Sequence, residues 1–364
     1  MACGFGKEIY QDGSRYEGEF CLDKKSGHGK MYYSDGSVYN GLWGSDVPNG
    51  EGTYTFQDGR KISGKWLNGK LGEIRVPSII PPPIEILIES AENGDSESQY
   101  NLAVDYEKGD DGLKKDPYKA FRLYELSANQ GFVRAEYAYG LCILNGVGTE
   151  QNVLLGQEWI KKAAEHGDSY AQYAMGVFNE RGNGMEINYI EALKWYKLAA
   201  IAGIRDAQNN LAMFYLKGMG TKVDLVAAIK WYKLSAQQGY IHAQNALGYC
   251  YENGVGAPED KRTAAIWYTL ASKQNDYYSQ SRLGIMYTMG IGVPKNYTLA
   301  FELLKSAAEG GIPEAQCFLG MNYSNGYGCE QNIDKAIYWL NIASRNGFPT
   351  ADMALEQLGV QKNN

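Results

Sequence analysis

The amino-acid sequence predicts an α+β multidomain chain, in which a small antiparallel sheet of β-hairpin repeats precedes an all-α solenoid of helix pairs. Three observations predict this arrangement. Residues 1–72 repeat with a period of 23, residues 84–360 repeat with a period of about 36, and a proline-rich segment at 73–83 separates the two. A fixed period of this size indicates repeat units that bury their apolar faces only against neighbouring units.

The 23-residue period of the first domain predicts β-hairpins. Asp-Gly lies between alternating apolar and polar segments, and this dipeptide favours a type I′ turn because glycine adopts positive φ at little cost. A Tyr-x-Gly-x-aromatic segment and a Gly-x-Gly recur at the same spacing, which predicts short strands with aromatic side chains aligned on one face of the sheet. The repeated turn pairs are Asp12-Gly13, Asp35-Gly36 and Asp58-Gly59.

These motifs resemble the MORN repeat (membrane occupation and recognition nexus), with its pattern of YxGxW, GxG and DG. The two best copies begin at Tyr16 and Tyr39. The resemblance implies lipid binding in some members, and dimerisation or protein contact in many others. Five lysines of this domain could contact lipid phosphates, but its balanced charge favours ordinary solvated side chains. They are Lys24, Lys25, Lys61, Lys65 and Lys70.

The segment at 73–83 is predicted to be a stiff linker. Pro77 and the three consecutive prolines at 81–83 exclude a regular helix or a central strand and favour extended polyproline II structure. Residues 84–93 follow with a helical pattern, and we expect them to form a helix that caps the open apolar end of the solenoid.

The 36-residue period predicts seven helix pairs. We number each repeat from its leading glycine as position 1; these residues are Gly94, Gly131, Gly167, Gly203, Gly239, Asn275, Gly311 and Gly347. Small residues at positions 5 and 10 predict close helix approach, and positions 5, 9 and 13 share the core face of a first helix. A Gly-x-Gly at positions 16 and 18 predicts a left-handed cap and a chain reversal. A second helix follows with a Trp-Tyr pair, and we expect the tryptophan column to lie in the core.

This pattern resembles the Sel-one-like repeat, a relative of the tetratricopeptide repeat, with its AQxxLG, GxG and AxxWYxxAA signatures. The three signatures are complete in residues 203–238, and the resemblance covers residues 84–360, about seven repeats plus capping helices. It implies a right-handed superhelix of antiparallel helix pairs.

Composition argues against several classes of function. The chain of 364 residues has a net charge of -7, and residues 1–75 carry equal numbers of acidic and basic side chains, so nucleic acid is not expected as a partner. The three histidines are isolated, and there is no HExxH, Cys-x-x-Cys or GxSxG motif. We therefore expect no enzyme activity, no metal and no cofactor. The six cysteines are scattered, and we expect reduced thiols.

The predicted partner-binding surface is the stripe on the first helices opposite the core, at positions 4, 7, 11 and 14, and the candidate residues come from positions 7 and 11. Tyrosine, methionine and asparagine there suit a peptide or helix partner. The alternative is that this stripe packs against the next repeat or faces water. The candidates are Tyr100, Tyr137, Tyr173, Asn209, Met213, Asn245, Tyr249, Ile285 and Met321.

The function that these features favour is a non-catalytic scaffold or adaptor. A protein or peptide would bind in the concave groove of the solenoid, and the MORN-like domain would add a second contact or a dimer interface. Two alternatives are a secreted, host-directed bacterial effector and a peripheral membrane tether. The first residues contain no apolar run, so we expect no cleavable signal peptide and a cytoplasmic protein, or one delivered into a host cell without such a signal.

Overall fold

The computed structural model describes residues 3–57, 61–75, 84–184 and 186–360. The chain divides into two compact units, residues 1–94 and 95–364. The first unit contains an antiparallel sheet and one helix, and the second contains fifteen helices within its described residues. The predicted fold class, a hairpin sheet followed by an α-solenoid, is confirmed.

The sheet has seven strands in chain order, and each strand is antiparallel to the next. The strands are β1 (Cys3–Ile9), β2 (Arg15–Cys21), β3 (Lys24–Tyr32), β4 (Val38–Gly44), β5 (Val47–Thr55), β6 (Lys61–Leu67) and β7 (Lys70–Arg75). The last strand reaches three residues into the segment predicted as a linker. Residues 76–83, which include all the linker prolines, lie outside the described residues.

The turns of the sheet differ from the prediction. Positive φ at two consecutive residues, as a type I′ turn requires, occurs at Leu22 and Asp23 and again at Ser45 and Asp46. In the first Asp-Gly pair only Gly13 has positive φ, at 84°. The Asp12 carboxylate instead accepts hydrogen bonds from the backbone and side chain of Ser14. Asp-Gly therefore closes a longer loop, and Asp58-Gly59 lies outside the described residues.

The aromatic face of the sheet is its core, as the period-two pattern predicts. Tyr16 and Tyr39 are fully buried and pack edge-on against Trp43. The ring of Tyr16 crosses the paired glycines Gly18 and Gly29, where a Cβ atom on either residue would overlap it. The YxG and GxG motifs thus share one physical cause, which is the space that a tyrosine ring needs over two facing strands.

One cysteine does not match the prediction. Cys21 is disulfide-bonded, and Cys3 is the residue directly opposite it in the β1–β2 register. The expectation of a reduced thiol is therefore wrong for Cys21, because cysteines far apart in sequence can face each other across a hairpin. Four others are free thiols: Cys142, Cys250, Cys317 and Cys329.

The helices have the predicted order, with a first and a second helix alternating along the repeats. The first unit contains α1 (Ile84–Glu92). The first helices of the repeats are α2 (Ser96–Lys108), α4 (Val133–Asn145), α6 (Ser169–Arg181), α8 (Arg205–Lys217), α10 (Ile241–Asn253), α12 (Tyr277–Met289), α14 (Pro313–Asn325) and α16 (Pro349–Gln357). The second helices are α3 (Pro117–Asn129), α5 (Val153–Glu165), α7 (Tyr189–Ile201), α9 (Leu225–Gln237), α11 (Lys261–Ser272), α13 (Tyr297–Glu309) and α15 (Ile333–Arg345).

Helix ends follow from capping residues. The seven complete first helices end at a glycine in the left-handed conformation, as predicted for position 16. Asn275 replaces the leading glycine and also has positive φ, at 64°. Each second helix begins after an aspartate or asparagine whose side chain accepts a backbone N–H of the first turn. This capping column is a regular sequence signal that the period analysis overlooked.

In the helix pairs that carry the Trp-Tyr motif, the core centres on the tyrosine and not on the tryptophan. Tyr196 and Tyr268 are fully buried, and the ring of Tyr196 covers Gly176 at position 10 of the facing helix. Of the tryptophans, Trp195 is buried, but Trp231 and Trp267 are only half-buried and pack against the clusters of adjacent repeats. The predicted tryptophan core is thus corrected to a position at the junction between repeats.

Glycine at position 18 sets how one repeat stacks on the next. A Cβ atom at Gly220 would overlap the carbonyl oxygen of Tyr189, at the start of the second helix of the preceding repeat. The same contact recurs at Gly256 against Leu225 and at Gly292 against Lys261. The second glycine of each Gly-x-Gly is therefore required by packing between repeats as well as by its positive φ.

We predict that Gly220→Ala lowers the free energy of unfolding by about 2–4 kcal/mol, since steric overlap with α7 adds to the cost of a left-handed alanine. Urea denaturation followed by circular dichroism measures the change. The matched control is Gly203→Ala, at a position with φ of 95° and open space around the added methyl group. It should cost only about 1–2 kcal/mol. Equal losses in the two variants would contradict the packing role.

Candidate functional site

The candidate binding surface of the solenoid is the side of the first helices that lies opposite their core positions. We call it the inner face and define it as positions 4, 7, 8, 11 and 14 of each repeat. First helices of successive repeats contact one another directly, as α10 with α12 and α12 with α14. Side chains of several repeats therefore meet on one continuous surface.

The structure places the nine predicted residues at different depths. Tyr249 is 48% exposed, whereas Ile285 is only 6% exposed and belongs to a core cluster. The other seven are half-buried: Tyr100, Tyr137, Tyr173, Asn209, Met213, Asn245 and Met321. Much of position 7 thus lies where one repeat meets the next, which was the alternative interpretation of this stripe.

Contacts explain the half-buried tyrosines. The ring of Tyr100 lies 5.7 Å from that of Tyr124 and 5.4 Å from that of Phe132. Tyr137 packs against the core cluster of the following repeat, and burial, with a smaller contribution from the Asp168 charge, raises its pKa to about 12. These phenols are therefore neutral near pH 7, and part of each ring stabilises the junction between repeats.

Three tyrosine–glutamate pairs lie at the edge of the inner face in alternate repeats. The Tyr124 hydroxyl donates to Glu107 at 2.7 Å, and the Tyr268 hydroxyl donates to Glu252 at 2.8 Å. Tyr196 and Glu180 form the third pair. Burial first, and then the glutamate, raises the pKa of each tyrosine, so that each hydroxyl stays protonated and can donate.

The residue at position 8 of the following repeat faces each pair, and it differs in the three cases. It is Ala138 after the first pair, Asn210 after the second and Arg282 after the third. Arg282 donates to both oxygens of Glu252 and, through Nη1, to Glu314 at 2.9 Å. A chain of charges therefore links α10, α12 and α14.

The Arg282 guanidinium is held in its charged form. Burial opposes the charge, but hydrogen bonds and attraction from Glu252 and Glu314 outweigh it and raise the pKa of Arg282. Burial raises the pKa of the neighbouring Tyr278, and the Arg282 charge opposes that rise. Aromatic rings and compensated charges of this kind are frequent at the centre of protein interfaces.

A second surface was not predicted. Four successive second helices expose an apolar side chain two residues after the capping aspartate or asparagine, with exposures between 61% and 74%. They are Tyr118, Leu154, Ile190 and Val226. The next residue in this column is Arg262, so the apolar row ends there. This surface could have been predicted from sequence, because an apolar residue recurs two positions after the capping aspartate or asparagine.

In the sheet, the five lysines do not share one environment. The ammonium of Lys25 lies over the rings of Tyr10, Tyr16 and Trp43, within 4.8–5.8 Å of their centroids, and is largely buried. It cannot contact a lipid phosphate from that position. Lys24, Lys61 and Lys65 are exposed, and the side chain of Lys70 lies outside the described residues.

The described part of the chain offers no cluster of three or more histidine, cysteine, aspartate or glutamate side chains for a metal ion. Among the same residues, no helix combines the length and apolarity needed to cross a membrane.

Comparison with known families agrees with the geometry. Seven copies of the Sel1 repeat match consecutive segments from residue 96 to residue 348, well over half of the chain. The chain belongs to the Sel1 repeat family. Residues 1–15, 16–38 and 39–59 match the MORN repeat, in the predicted order. Sel1 repeats form solenoids that are typical of non-catalytic protein–protein interaction scaffolds.

Solved structures support the same fold. A protective antigen of uropathogenic Escherichia coli with an SLR fold is 33% identical, with a TM-score of 0.70, over 77% of this chain and 61% of that one. A Sel1 repeat protein from Oxalobacter formigenes is 30% identical, with a TM-score of 0.57, over 76% and 80%. The chitin synthase regulator SKT5 of Malassezia restricta is 28% identical over 123 residues. The match covers 23% of this chain and only 8% of the regulator.

We predict that Arg282→Ala lowers the free energy of unfolding by about 2–4 kcal/mol, because the buried Glu252 carboxylate loses its charged partner. Urea denaturation at neutral pH measures the loss. The control is Arg262→Ala, an exposed arginine at the start of α11, which should change stability by less than about 0.5 kcal/mol. Similar losses in both variants would show that the charge chain does not stabilise the solenoid.

Proposed function

We propose that the protein is a scaffold whose inner face binds a peptide or helix of a protein partner. The observation that carries the proposal is a set of exposed tyrosines on the first helices. Tyr170 and Tyr278 at position 4, and Tyr249 at position 11, are all exposed. Tyrosine buries a large area at low entropic cost and keeps a hydroxyl for hydrogen bonding, so exposed tyrosines on a rigid surface suit partner recognition.

The rigidity of the inner face supports this proposal. The tyrosines stand on helices that end in fixed caps, and Arg282, which lies near Tyr278, is already paired with Glu252 and Glu314. A partner would therefore meet a preorganised surface, which reduces the entropic cost of binding. Asn209 and Asn245, which are half-buried at position 7, would offer amide groups to an extended backbone.

The binding test compares two double variants. Crosslinking mass spectrometry on the endogenous protein identifies a partner, and calorimetry with purified components measures Kd. We predict that Tyr170→Arg with Tyr249→Arg raises Kd about tenfold or more, because added cations disrupt the aromatic contact. The control, Tyr118→Arg with Tyr338→Arg, changes tyrosines of similar exposure (61% and 60%) on second helices. Loss of binding in the control alone would place the partner on the outer surface and contradict the proposal.

The sheet is proposed as the second contact or dimerisation surface. Its edge strand β1 carries Phe5 and Ile9, which are 80% and 70% exposed. Both point to the face opposite the aromatic core, across from Glu19 and Arg15 in the register with β2. An exposed edge strand with apolar side chains offers unpaired backbone groups to a second chain.

We predict that the full chain forms a dimer in solution and that Phe5→Arg with Ile9→Arg converts it to a monomer. Size-exclusion chromatography with light scattering gives the mass over a range of protein concentrations. Leu22→Arg, in the turn after β2, is the control for an added charge on an exposed apolar residue and should remain dimeric. A monomeric wild type at every concentration would exclude dimerisation and leave β1 only the role of a second contact.

A further inference from the structure

A cavity lies beside the Tyr124–Glu107 pair. Arg282 fills the equivalent place beside the Tyr268–Glu252 pair of the same chain. The cavity has a volume of about 160 Å³ and lies between α2 and α4. Its lining includes Glu107, Tyr124, Ala138, Cys142 and Asn145. The Tyr124 hydroxyl fixes the Glu107 carboxylate at one side, and no ion pair to Glu107 is formed by the described residues.

The residues around Glu107 occupy the same repeat positions as the residues around Glu252 and Arg282. Glu107 and Glu252 both occupy position 14, and Tyr124 and Tyr268 both lie eight residues after the cap of the second helix. The residue at position 8 of the next repeat is Arg282 in one case and Ala138 in the other. Where the arginine is present, Glu252 is buried; where alanine replaces it, Glu107 is exposed and the cavity is open.

Glu107 is the one carboxylate among the residues that line the open cavity. Its charge contributes, after burial, to raising the pKa of the Cys142 thiol to about 12, so it acts on the interior of the cavity. A cationic group that entered the cavity would therefore meet a fixed, negatively charged acceptor in Glu107.

We propose that this cavity binds an arginine side chain of the partner that occupies the inner face. The inference rests on the proposed scaffold function and adds the chemistry of one partner residue. Arginine is favoured over lysine because of Tyr170. This tyrosine lies at position 4 two repeats after Glu107, just as Glu314 lies at position 4 two repeats after Glu252. A planar guanidinium can pair with Glu107 and stack on an exposed tyrosine ring, whereas a lysine ammonium is a point charge.

The test uses the full chain and two blocked tripeptides, acetyl-Gly-Arg-Gly-amide and its citrulline analogue, which is neutral and of nearly the same shape. Ligand-observed NMR titration measures Kd. We expect saturable binding of the arginine peptide and binding of the citrulline peptide that is weaker by about tenfold or more. Glu107→Gln should remove the difference between the peptides. The control Glu97→Gln, at an exposed glutamate of the same helix, should preserve it.

Two further variants use the internal comparison. Ala138→Arg should fill the cavity from within, reproduce the arrangement of Arg282 and abolish binding of the arginine peptide. Arg282→Ala should open an equivalent cavity beside Glu252 and raise the number of bound peptides from one to two. Circular dichroism checks that both variants fold. If either variant does not fold, the peptide result for Glu107→Gln still tests the proposal.

Equal binding of the two peptides, or unchanged selectivity in Glu107→Gln, would overturn the arginine site. These outcomes are separate from those of the scaffold test. If the Tyr170 and Tyr249 double variant loses its partner while the arginine peptide does not bind, the scaffold remains and the arginine site is rejected. If the peptide binds but the double variant keeps its partner, Glu107 marks an arginine site outside the main interface.

Discussion

The solenoid depends on one contact, the close approach of the position 18 glycine to the backbone at the start of the preceding second helix. Gly220 against Tyr189 is one example, and the contact recurs in five repeats. It fixes the distance and rotation from each repeat to the next. The inner face follows from this constraint, because position 8 of one repeat meets position 14 of the previous repeat only when that spacing is constant. Repeats that contact only their neighbours keep register through such contacts at each junction.

The same logic explains how far the sequence predicts the fold. Glycine columns, core columns and the aromatic strands predict every helix pair and every hairpin, because each is a local requirement repeated at a fixed period. The Asp-Gly turn was assigned the wrong type because the hairpin register places the two-residue turns at Leu22-Asp23, Ser45-Asp46 and Asn68-Gly69, and the first two have no glycine. Non-glycine residues with positive φ are rare, so propensity alone does not indicate them.

The candidate site was harder to predict. The period identifies the face on which Tyr137, Tyr173 and Tyr249 lie but not their depth, which depends on the packing of the next repeat. Ile285 shows the limit, since it has the same position as Tyr249 and is buried. The tyrosine–glutamate pairs could have been found only in part from sequence: glutamate at position 14 occurs only in repeats whose second helix carries the facing tyrosine, but Tyr232 has Leu216 at that position. Their relation to position 8 required the three-dimensional register.

Alternation along the inner face bears on selectivity. Polar pairs at Glu107, Glu180 and Glu252 are separated by repeats with Leu144 and Leu216 at the same position. At helix spacings of about 8–10 Å, polar groups two repeats apart are separated by very roughly 20–40 Å along the solenoid, depending on how the helix pairs stack. A partner with a basic residue at that interval would satisfy these carboxylates, whereas one with an apolar residue there would leave them desolvated and unpaired. Arg282 already satisfies the third pair and Asn210 faces the second, so the greatest selectivity for a basic partner residue lies at the N-terminal end of the solenoid, where Ala138 keeps the cavity open.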